Sequence, residues 1–119
     1  MSRHLHRPGT LTIRANSTDS EKFTVPSVLG PMIRLVVYTP SGLLETAVMQ
    51  VAPNDNPGAA DWKTLQIIPG TDAILPAGRA VSVAAAGFKA VRIHSTTGEV
   101  VVDRVFELIA QLDVTSDGA

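Results

Sequence analysis

The sequence predicts an all-β protein, an antiparallel, jelly-roll-like β-sandwich of about eight short strands. The first observation is that proline and glycine recur at short intervals along the chain, as turns require. The second is that the segments between them are rich in Val, Ile and Leu, whereas aromatic residues make up only 4% of the chain. The third is that several segments alternate apolar and polar residues with the period of two of a half-buried strand.

Two segments carry the clearest strand signals. Residues 32–38 are rich in β-branched side chains and are bounded by Pro31 and Pro40, which leaves no room for a helix. In residues 46–52, Ala47, Met49 and Val51 alternate with side chains of the opposite face. We expect these two strands to form an antiparallel hairpin through residues 39–45. The further predicted strands are residues 10–15, 62–68, 73–75, 79–83 and 88–94.

The segment of residues 101–114 fits two patterns. Its apolar residues recur with helical spacing from Val101 to Leu112, but they also alternate strictly from Phe106 to Val114. We predict a strand, because the alternation runs longer and no N-cap with a capping box is well placed for a helix. A short helix over residues 103–110 is the alternative.

The length of 119 residues predicts one domain, which we place at residues 10–114. Residues 1–9 are predicted to form an extended, polar and flexible N-terminal arm, and residues 115–119 a flexible C-terminal tail. The basic N-terminus is not followed by an apolar segment, and no stretch approaches the ~18 apolar residues of a membrane span. We therefore expect a soluble protein without a secretion signal or a membrane partner.

Composition and charge narrow the function. Ten basic and eleven acidic residues give a formal net charge of -1, so nucleic acid is not an expected partner. The chain has no cysteine, which excludes disulfides, a thiolate nucleophile and a Cys-ligated metal. No glycines have the spacing of a phosphate-binding loop. We predict no catalytic residue, no cofactor and no metal ion.

The N-terminal arm carries a candidate interface in Arg3, His4, His6 and Arg7. These basic side chains suit an acidic groove on a neighbouring subunit. His4 and His6 lie on one side of an extended strand, but two imidazoles do not make a structural metal site. We therefore predict an interface and not a metal site.

A polar turn followed by the single tryptophan is the candidate ligand loop, formed by Asn54, Asp55, Asn56 and Trp62. Its oxygen-rich side chains are typical of Ca²⁺ loops, but the spacing and the terminal Glu of an EF-hand are missing. Asn and Asp in turns usually bond their own backbone, so the expected loop holds no ion. Trp62 either stacks on a ligand or covers the sandwich core.

His94 is the one histidine within the predicted sandwich that qualifies as a general base, with Asp103 or Glu99 as its acidic partner. No nucleophile motif such as Gly-x-Ser-x-Gly accompanies it, so we expect a histidine at a strand end and predict that the chain is not an enzyme. A hydrolase that uses His94 is the weakest alternative. Three arginines in the second half of the chain are expected to lie on strand faces, to lie in an interface or to pair with nearby acidic residues. The arginines are Arg79, Arg92 and Arg104, and the acidic residues are Asp72, Glu99 and Asp103.

The order of elements over residues 46–95 carries a family resemblance. An alternating strand is followed by an Asn-Asp-Asn-Pro-Gly turn, by Trp62 with Leu65, by a Pro-Ala-Gly turn and by Phe-Lys-Ala-Val-Arg-Ile at residues 88–93. This order resembles the small β-sandwich modules of tailed-bacteriophage virions. It is more distantly similar to discoidin-type galactose-binding-like domains, whose late strand often reads aromatic-x-x-Val-Arg-Ile.

The resemblance to virion modules implies a non-enzymatic structural protein that is made in the host cytoplasm and located on the capsid surface. There it would be a decoration protein that binds and stabilises the assembled head. The implied partners are other virion proteins, the major capsid protein before tail proteins, and the implied state is a homo-oligomer such as a trimer. The same virion modules also occur in tails and fibres, which makes a glycan- or receptor-binding tail or fibre module the alternative. The discoidin-type likeness implies instead the binding of a glycan or a lipid headgroup through loops. The chain departs from that pattern in lacking a disulfide and in having few aromatic residues for sugar stacking.

Overall fold

The computed structural model describes residues 2–25, 33–84 and 88–115. In chain order its strands are β1 (Ser2–Ile13), β2 (Phe23–Thr24), β3 (Ile33–Tyr38), β4 (Ala47–Ala52), β5 (Lys63–Thr64), β6 (Gln66–Ile68), β7 (Thr71–Asp72), β8 (Ile74–Leu75), β9 (Ala80–Ala84), β10 (Ala90–Ser95) and β11 (Arg104–Thr115). A 3₁₀ turn at Ala59–Asp61 precedes β5. The predicted all-β class is confirmed.

Two antiparallel sheets form the sandwich. Sheet A has the strand order β1-β11-β3-β9, and sheet B has the order β2-β10-β4-β5, with β8 also paired to β4. Successive strands therefore alternate between the two sheets from β1 to β4 and again from β8 to β11. In between, the strands from β4 to β8 all lie outside sheet A. This is the double-sheet arrangement of a jelly roll. The hairpin of β6 and β7 is an insertion between β5 and β8.

The core lies between the inner faces of the two sheets, and it follows the period-two rule of strands. In β11, Phe106, Leu108 and Ala110 are buried while Val105 and Glu107 face outward. The other buried strand residues include Leu11, Ile13, Leu35, Val37, Met49, Leu75, Val83, Val91 and Ile93. Aliphatic side chains thus fill the interior, as the composition predicts.

The predicted hairpin between residues 32–38 and 46–52 is wrong. Both strands exist, but β3 pairs with β11 and β9, whereas β4 pairs with β10, β5 and β8. Residues 39–46 therefore cross from one sheet to the other and do not close a hairpin. Two successive strands with apolar inner faces can bury those faces by pairing side by side in one sheet or by lying in opposite sheets and packing across the core. The alternation alone does not distinguish these two arrangements.

The first strand is longer than the sequence indicates. Residues 1–9 are predicted to be a flexible arm and the domain to begin at residue 10, but β1 begins at Ser2 and pairs with β11 from Ser2↔Thr115 to Ile13↔Arg104. The partner strand supplies the backbone hydrogen bonds that make a polar segment extended, and a polar sequence carries no sign of a partner about 100 residues away. Met1 and residues 116–119 of the predicted tail lie outside the described residues.

The remaining differences concern single elements. Residues 104–115 form a strand, so the alternating pattern decides correctly against the helix. Residues 62–68 do not form one strand, because the chain leaves sheet B after β5 and enters the β6–β7 hairpin. Residues 73–75 and 79–83 correspond to β8 and β9, which flank the predicted turn but belong to different sheets.

Gly9 of β1 lies against the ring of Phe23, because a Cβ atom at position 9 would come within 2.9 Å of Phe23 Cε1. We predict that Gly9→Ala lowers the free energy of unfolding by about 1 kcal/mol, since the ring must move out of its packed position. Gly42→Ala is the matched control, because nothing lies within 4 Å of the added methyl group. It is expected to change stability by less than about 0.5 kcal/mol. Urea denaturation measures both, and equal midpoints would contradict the packing role of Gly9.

Candidate functional site

The predicted interface residues lie on the outer edge of sheet A. Arg3, His4, His6 and Arg7 belong to β1, opposite Val114, Asp113, Gln111 and Ala110 of β11. The structure describes the backbone of these four residues but not their side chains. The interface role of these four residues therefore stays a prediction.

The predicted ligand loop is a self-bonded turn. The Asn54 side-chain oxygen accepts a hydrogen bond from the backbone N–H of Asn56 at 3.2 Å, and the Asp61 carboxylate accepts one from the Gly58 N–H at 2.8 Å. Lys22 reaches across from the segment before β2 and donates to the backbone carbonyl of Asp55. The side chains of Asn54 and Asp61 thus bond the backbone of their own loop, as is usual for Asx turns.

Trp62 stands at the end of a polar row on the outer face of sheet B. The guanidinium carbon of Arg92 lies 4.6 Å from the centroid of the Trp62 ring, which is the geometry of a cation–π contact. Arg92 also donates to the Gln50 side chain at 2.8 Å and lies 3.7 Å from the Asp19 carboxylate. The row continues to His94, whose Nδ1 lies 2.6 Å from Asp19 Oδ1.

The partners predicted for His94 and Arg92 are wrong. His94 contacts Asp19 and not Asp103 or Glu99, and Arg92 contacts the same Asp19. Asp103 instead accepts a hydrogen bond from the Ala15 N–H at 2.8 Å. Side-chain pairs across a sandwich depend on which loop crosses which strand end. Hydrogen bonds between Ser20 and Ile93 and from Ser95 N to Thr18 O hold the segment that carries Asp19 on β10.

His94 with Asp19 has the geometry of a base and the acid that orients it. A nucleophile in contact with the ring would complete a catalytic arrangement, but in the described part of the chain no serine or threonine hydroxyl bonds to His94. Residues 2–25, 33–84 and 88–115 also contain no cluster of three or more His, Asp or Glu side chains suited to a metal ion. The row is therefore a polar surface with one aromatic ring.

The surface that sequence analysis missed lies at one end of the sandwich. Three segments meet there, which we call the apical loops: residues 14–20, 39–46 and 96–103. Backbone hydrogen bonds tie them together, from Asn16 N to Val100 O at 2.7 Å and from Thr96 N to Thr46 O at 2.8 Å. These bonds make the three loops one connected surface.

The apical loops expose apolar side chains beside buried ones. Leu43 is buried in the core while Leu44 is 83% exposed, and Val100 is buried while Val101 and Val102 are 71% and 52% exposed. The buried member of each run anchors the loop, so the exposed member is held in a defined position. The sequence signal was present, since Leu43-Leu44 is an apolar run in the predicted connection of residues 39–45 and Val100-Val101-Val102 is one at the start of the last predicted strand. The sequence does not tell which member of each run faces out.

One ion pair fixes the apical loops to sheet A. Arg104, at the start of β11, donates to both carboxylate oxygens of Glu45, at 2.9 and 3.3 Å, and to the backbone carbonyl of Gly42 at 3.1 Å. Both charged side chains are only 11% exposed. The hydrogen bonds from Arg104 hold the pKa of the Glu45 carboxyl below its ordinary value of 4.5, against the opposing effect of burial. The predicted pairing of Arg104 with Asp72, Glu99 or Asp103 is therefore also wrong.

The arrangement of the two sheets defines the class of jelly-roll β-sandwich proteins. No protein-family model matches the chain, and no curated protein matches it. Among solved structures, the chain is similar to the SPBc2 prophage-derived protein YomS, with a TM-score of 0.57 and 14% sequence identity over 90% of this chain and 95% of that chain.

Two further solved structures are less similar. The capsid asymmetric unit of cyanophage Pam1 matches with a TM-score of 0.46 and 13% identity, over 96% of this chain and 86% of that chain. A disulfide-linked pilus protein of Bacillus endospore appendages matches with a TM-score of 0.48 and 11% identity, over 97% and 92% of the two chains. The likeness to YomS shows a shared fold. In the described residues, no helix is long and apolar enough to cross a membrane.

The pH dependence of stability tests the ion pair. Because the pKa of Glu45 is lowered on folding, the stabilisation is complete above pH 4.5 and is lost as the pH falls through the folded-state pKa. We predict that Glu45→Gln lowers the free energy of unfolding by about 2 kcal/mol at pH 7, and that its difference from the unmodified protein shrinks below pH 4.5. Glu99→Gln, at an exposed position, is the control and is expected to change stability by less than about 0.5 kcal/mol. A Glu45→Gln difference that stays constant down to pH 2 would contradict this account of the pair.

Proposed function

We propose that this chain is a non-enzymatic structural protein of a tailed-bacteriophage virion, and that it decorates the capsid by binding the assembled head as a homo-oligomer. The observation that carries the proposal is the apical surface, where Leu44, Val101 and Val102 are exposed on loops that an ion pair and backbone hydrogen bonds hold in place. A surface of this kind suits binding to a preformed protein partner.

The energetic argument concerns these three side chains. Exposed single apolar residues are common, but three of them on neighbouring loops at one end of a small domain are typical of an interaction site. Burial of each against a partner contributes about 1.5–3 kcal/mol. Because Leu43, Val100 and the Arg104–Glu45 pair already order the loops, binding requires little further loss of conformational freedom.

The fold is a second argument for the virion assignment. YomS, which shares this fold over 95% of its own length, is a prophage-derived protein. A single compact sandwich with a formal net charge of -1 has no basic field that would direct it to nucleic acid, so its partners are expected to be proteins. We expect the major capsid protein as the partner, with tail proteins as the alternative.

Removal of the exposed apical side chains tests the proposal. The double variant Leu44→Ser, Val101→Ser is expected to lose binding to heads purified from the phage that encodes the chain, with affinity at least about tenfold lower, since truncated interface anchors commonly cost more than 1 kcal/mol each. Co-sedimentation measures this. The melting temperature should not fall, because both side chains are exposed in the free protein.

Ile68→Ser is the matched control, because Ile68 is also an exposed apolar residue but lies in the hairpin of β6 and β7 and not in the apical loops. It should bind heads as the unmodified protein does. Unchanged binding by the double variant would refute the apical surface as the contact.

The neighbouring genes distinguish the two candidate partners. A major capsid gene beside this one supports the head, and baseplate genes support the tail. A genome region without virion genes would refute the assignment itself.

A glycan- or receptor-binding module is the second candidate, and Trp62 carries it. The tryptophan is half-buried beside Arg92 and Gln50, and an aromatic ring with polar neighbours is a common composition of a ligand site. Arg92 already lies over one face of the ring, so only the other face is free for a sugar. On a glycan array, this function predicts binding that Trp62→Ala abolishes and Trp62→Phe retains, with an unchanged circular dichroism spectrum. Absence of any glycan signal would rule it out.

A further inference from the structure

The two edges of sheet A differ in how they are protected against pairing with another strand. Exposed strand edges are usually blunted by charged side chains, proline or bulges. The edge strand β1 carries Pro8, Arg3 and Arg7, whereas the opposite edge strand, β9, has the sequence Ala-Val-Ser-Val-Ala from Ala80 to Ala84. Its register with β3 has no bulge, and no described strand pairs with its outer side. In the described part of the chain, β9 thus carries no charged residue, proline or bulge of its own at this edge.

The backbone groups that face outward from β9 follow from its ladder with β3. Thr39 N donates to Arg79 O at 2.9 Å, so residues 39 and 79 form a hydrogen-bonded pair. Hydrogen-bonded and non-bonded pairs alternate along an antiparallel ladder, so the N–H and C=O groups of Ala80, Ser82 and Ala84 point away from β3. Arg34 reaches one of these groups, since its guanidinium lies 3.4 Å from the Ser82 carbonyl oxygen.

A groove runs beside these outward-facing groups. One wall is formed by Leu65, Gln66 and Ile67 at the β6–β7 hairpin, and the other by Ser82, Val83 and Ala84 of β9. Arg34 is the one charged residue among those that line it. The groove encloses about 270 Å³, less than the roughly 300–1,000 Å³ of pockets that engulf small molecules. A groove of this size along a free strand edge fits a short extended chain.

We propose that the β9 edge and its groove bind an extended segment of another protein, which adds to sheet A as a fifth strand. Backbone hydrogen bonds to Ala80, Ser82 and Ala84 supply the attachment, as in other cases of β-strand addition. Leu65 and Ile67 contact an apolar side chain of the added strand, and Arg34 pairs with an acidic one. The occupant is therefore an acidic and apolar strand of a partner protein.

The charge of the edge argues against a second copy of this chain as the occupant. A β9–β9 pair about a two-fold axis would bring the Arg34 side chains of both copies to the same region, and like charges that face each other across strands are destabilising. The β1 strand of another copy would bring the basic residues Arg3 and Arg7 to Arg34. This proposal does not depend on the apical surface, which lies at the end of the sandwich and not at the β9 edge.

Amide hydrogen exchange tests the proposal with synthetic peptides. The probe is the capped hexapeptide Glu-Val-Thr-Val-Glu-Thr, its charge-reversed form has Lys in place of Glu, and a third form has Pro in place of the first Thr. We expect the acidic peptide to slow exchange at the amides of Ala80, Ser82 and Ala84 and to leave those of Val81 and Val83 unchanged, because these two already bond to β3. Uniform protection, or none at millimolar peptide, would overturn the proposal.

Two variants identify the contacts. Ser82→Pro removes the outward N–H of residue 82 and is expected to weaken peptide binding about tenfold, whereas Ser82→Ala keeps that N–H and should bind normally. Arg34→Glu is expected to reverse the preference, so that the basic peptide binds about threefold better than the acidic one. This second variant keeps the test decisive if proline disturbs β9. A preference for the acidic peptide that survives Arg34→Glu, or self-association of the unmodified protein through β9 in analytical ultracentrifugation, would overturn the assignment of the occupant. Either result leaves the apical-surface test unaffected.

Discussion

The pairing of the first strand with the last one is the contact on which the rest of the structure depends. β1 and β11 pair along their whole twelve-residue length, and Leu11, Ile13, Phe106 and Leu108 of this pair form the centre of the sheet A side of the core. Even the two paired residues closest in the sequence, Ile13 and Arg104, lie about 90 positions apart, so the two strands meet only when a long loop closes. Such non-local pairing makes formation of the sandwich slow and strongly cooperative.

This pairing also sets the position of the apical loops. The loop after β1 and the loop before β11 leave the sheet side by side, and Ala15 N and the Asp103 carboxylate bond across them. Arg104 then ties the third loop to the same strand end through Glu45. The exposed leucine and valines are therefore presented by a rigid frame that both sheets share. Exposed apolar side chains on ordered loops suit assembly with other proteins, which is the role that we propose.

Sequence patterns predicted individual strands much better than their partners. The alternation in residues 106–114 correctly identified β11 as a strand, and the β-branched run before Pro40 correctly identified β3. The pairing of β3 with β4, in contrast, was predicted from their adjacency in the chain, and it is wrong because the chain crosses the core between them. For the same reason Asp19 was not foreseen as the partner of Arg92 and His94, since these residues are more than 70 positions apart.

The sequence by itself determined the class of the fold and the material of the core, because turn residues and period-two patterns are local properties that act on neighbouring residues. It also determined that the interior is aliphatic and that no thiol chemistry is available. Only the tertiary structure decided which strands share a sheet, which of two adjacent apolar residues in an apical loop is buried, and which strand edge is left unpaired. These depend on contacts between distant segments, and such contacts exist only once the two sheets have packed together.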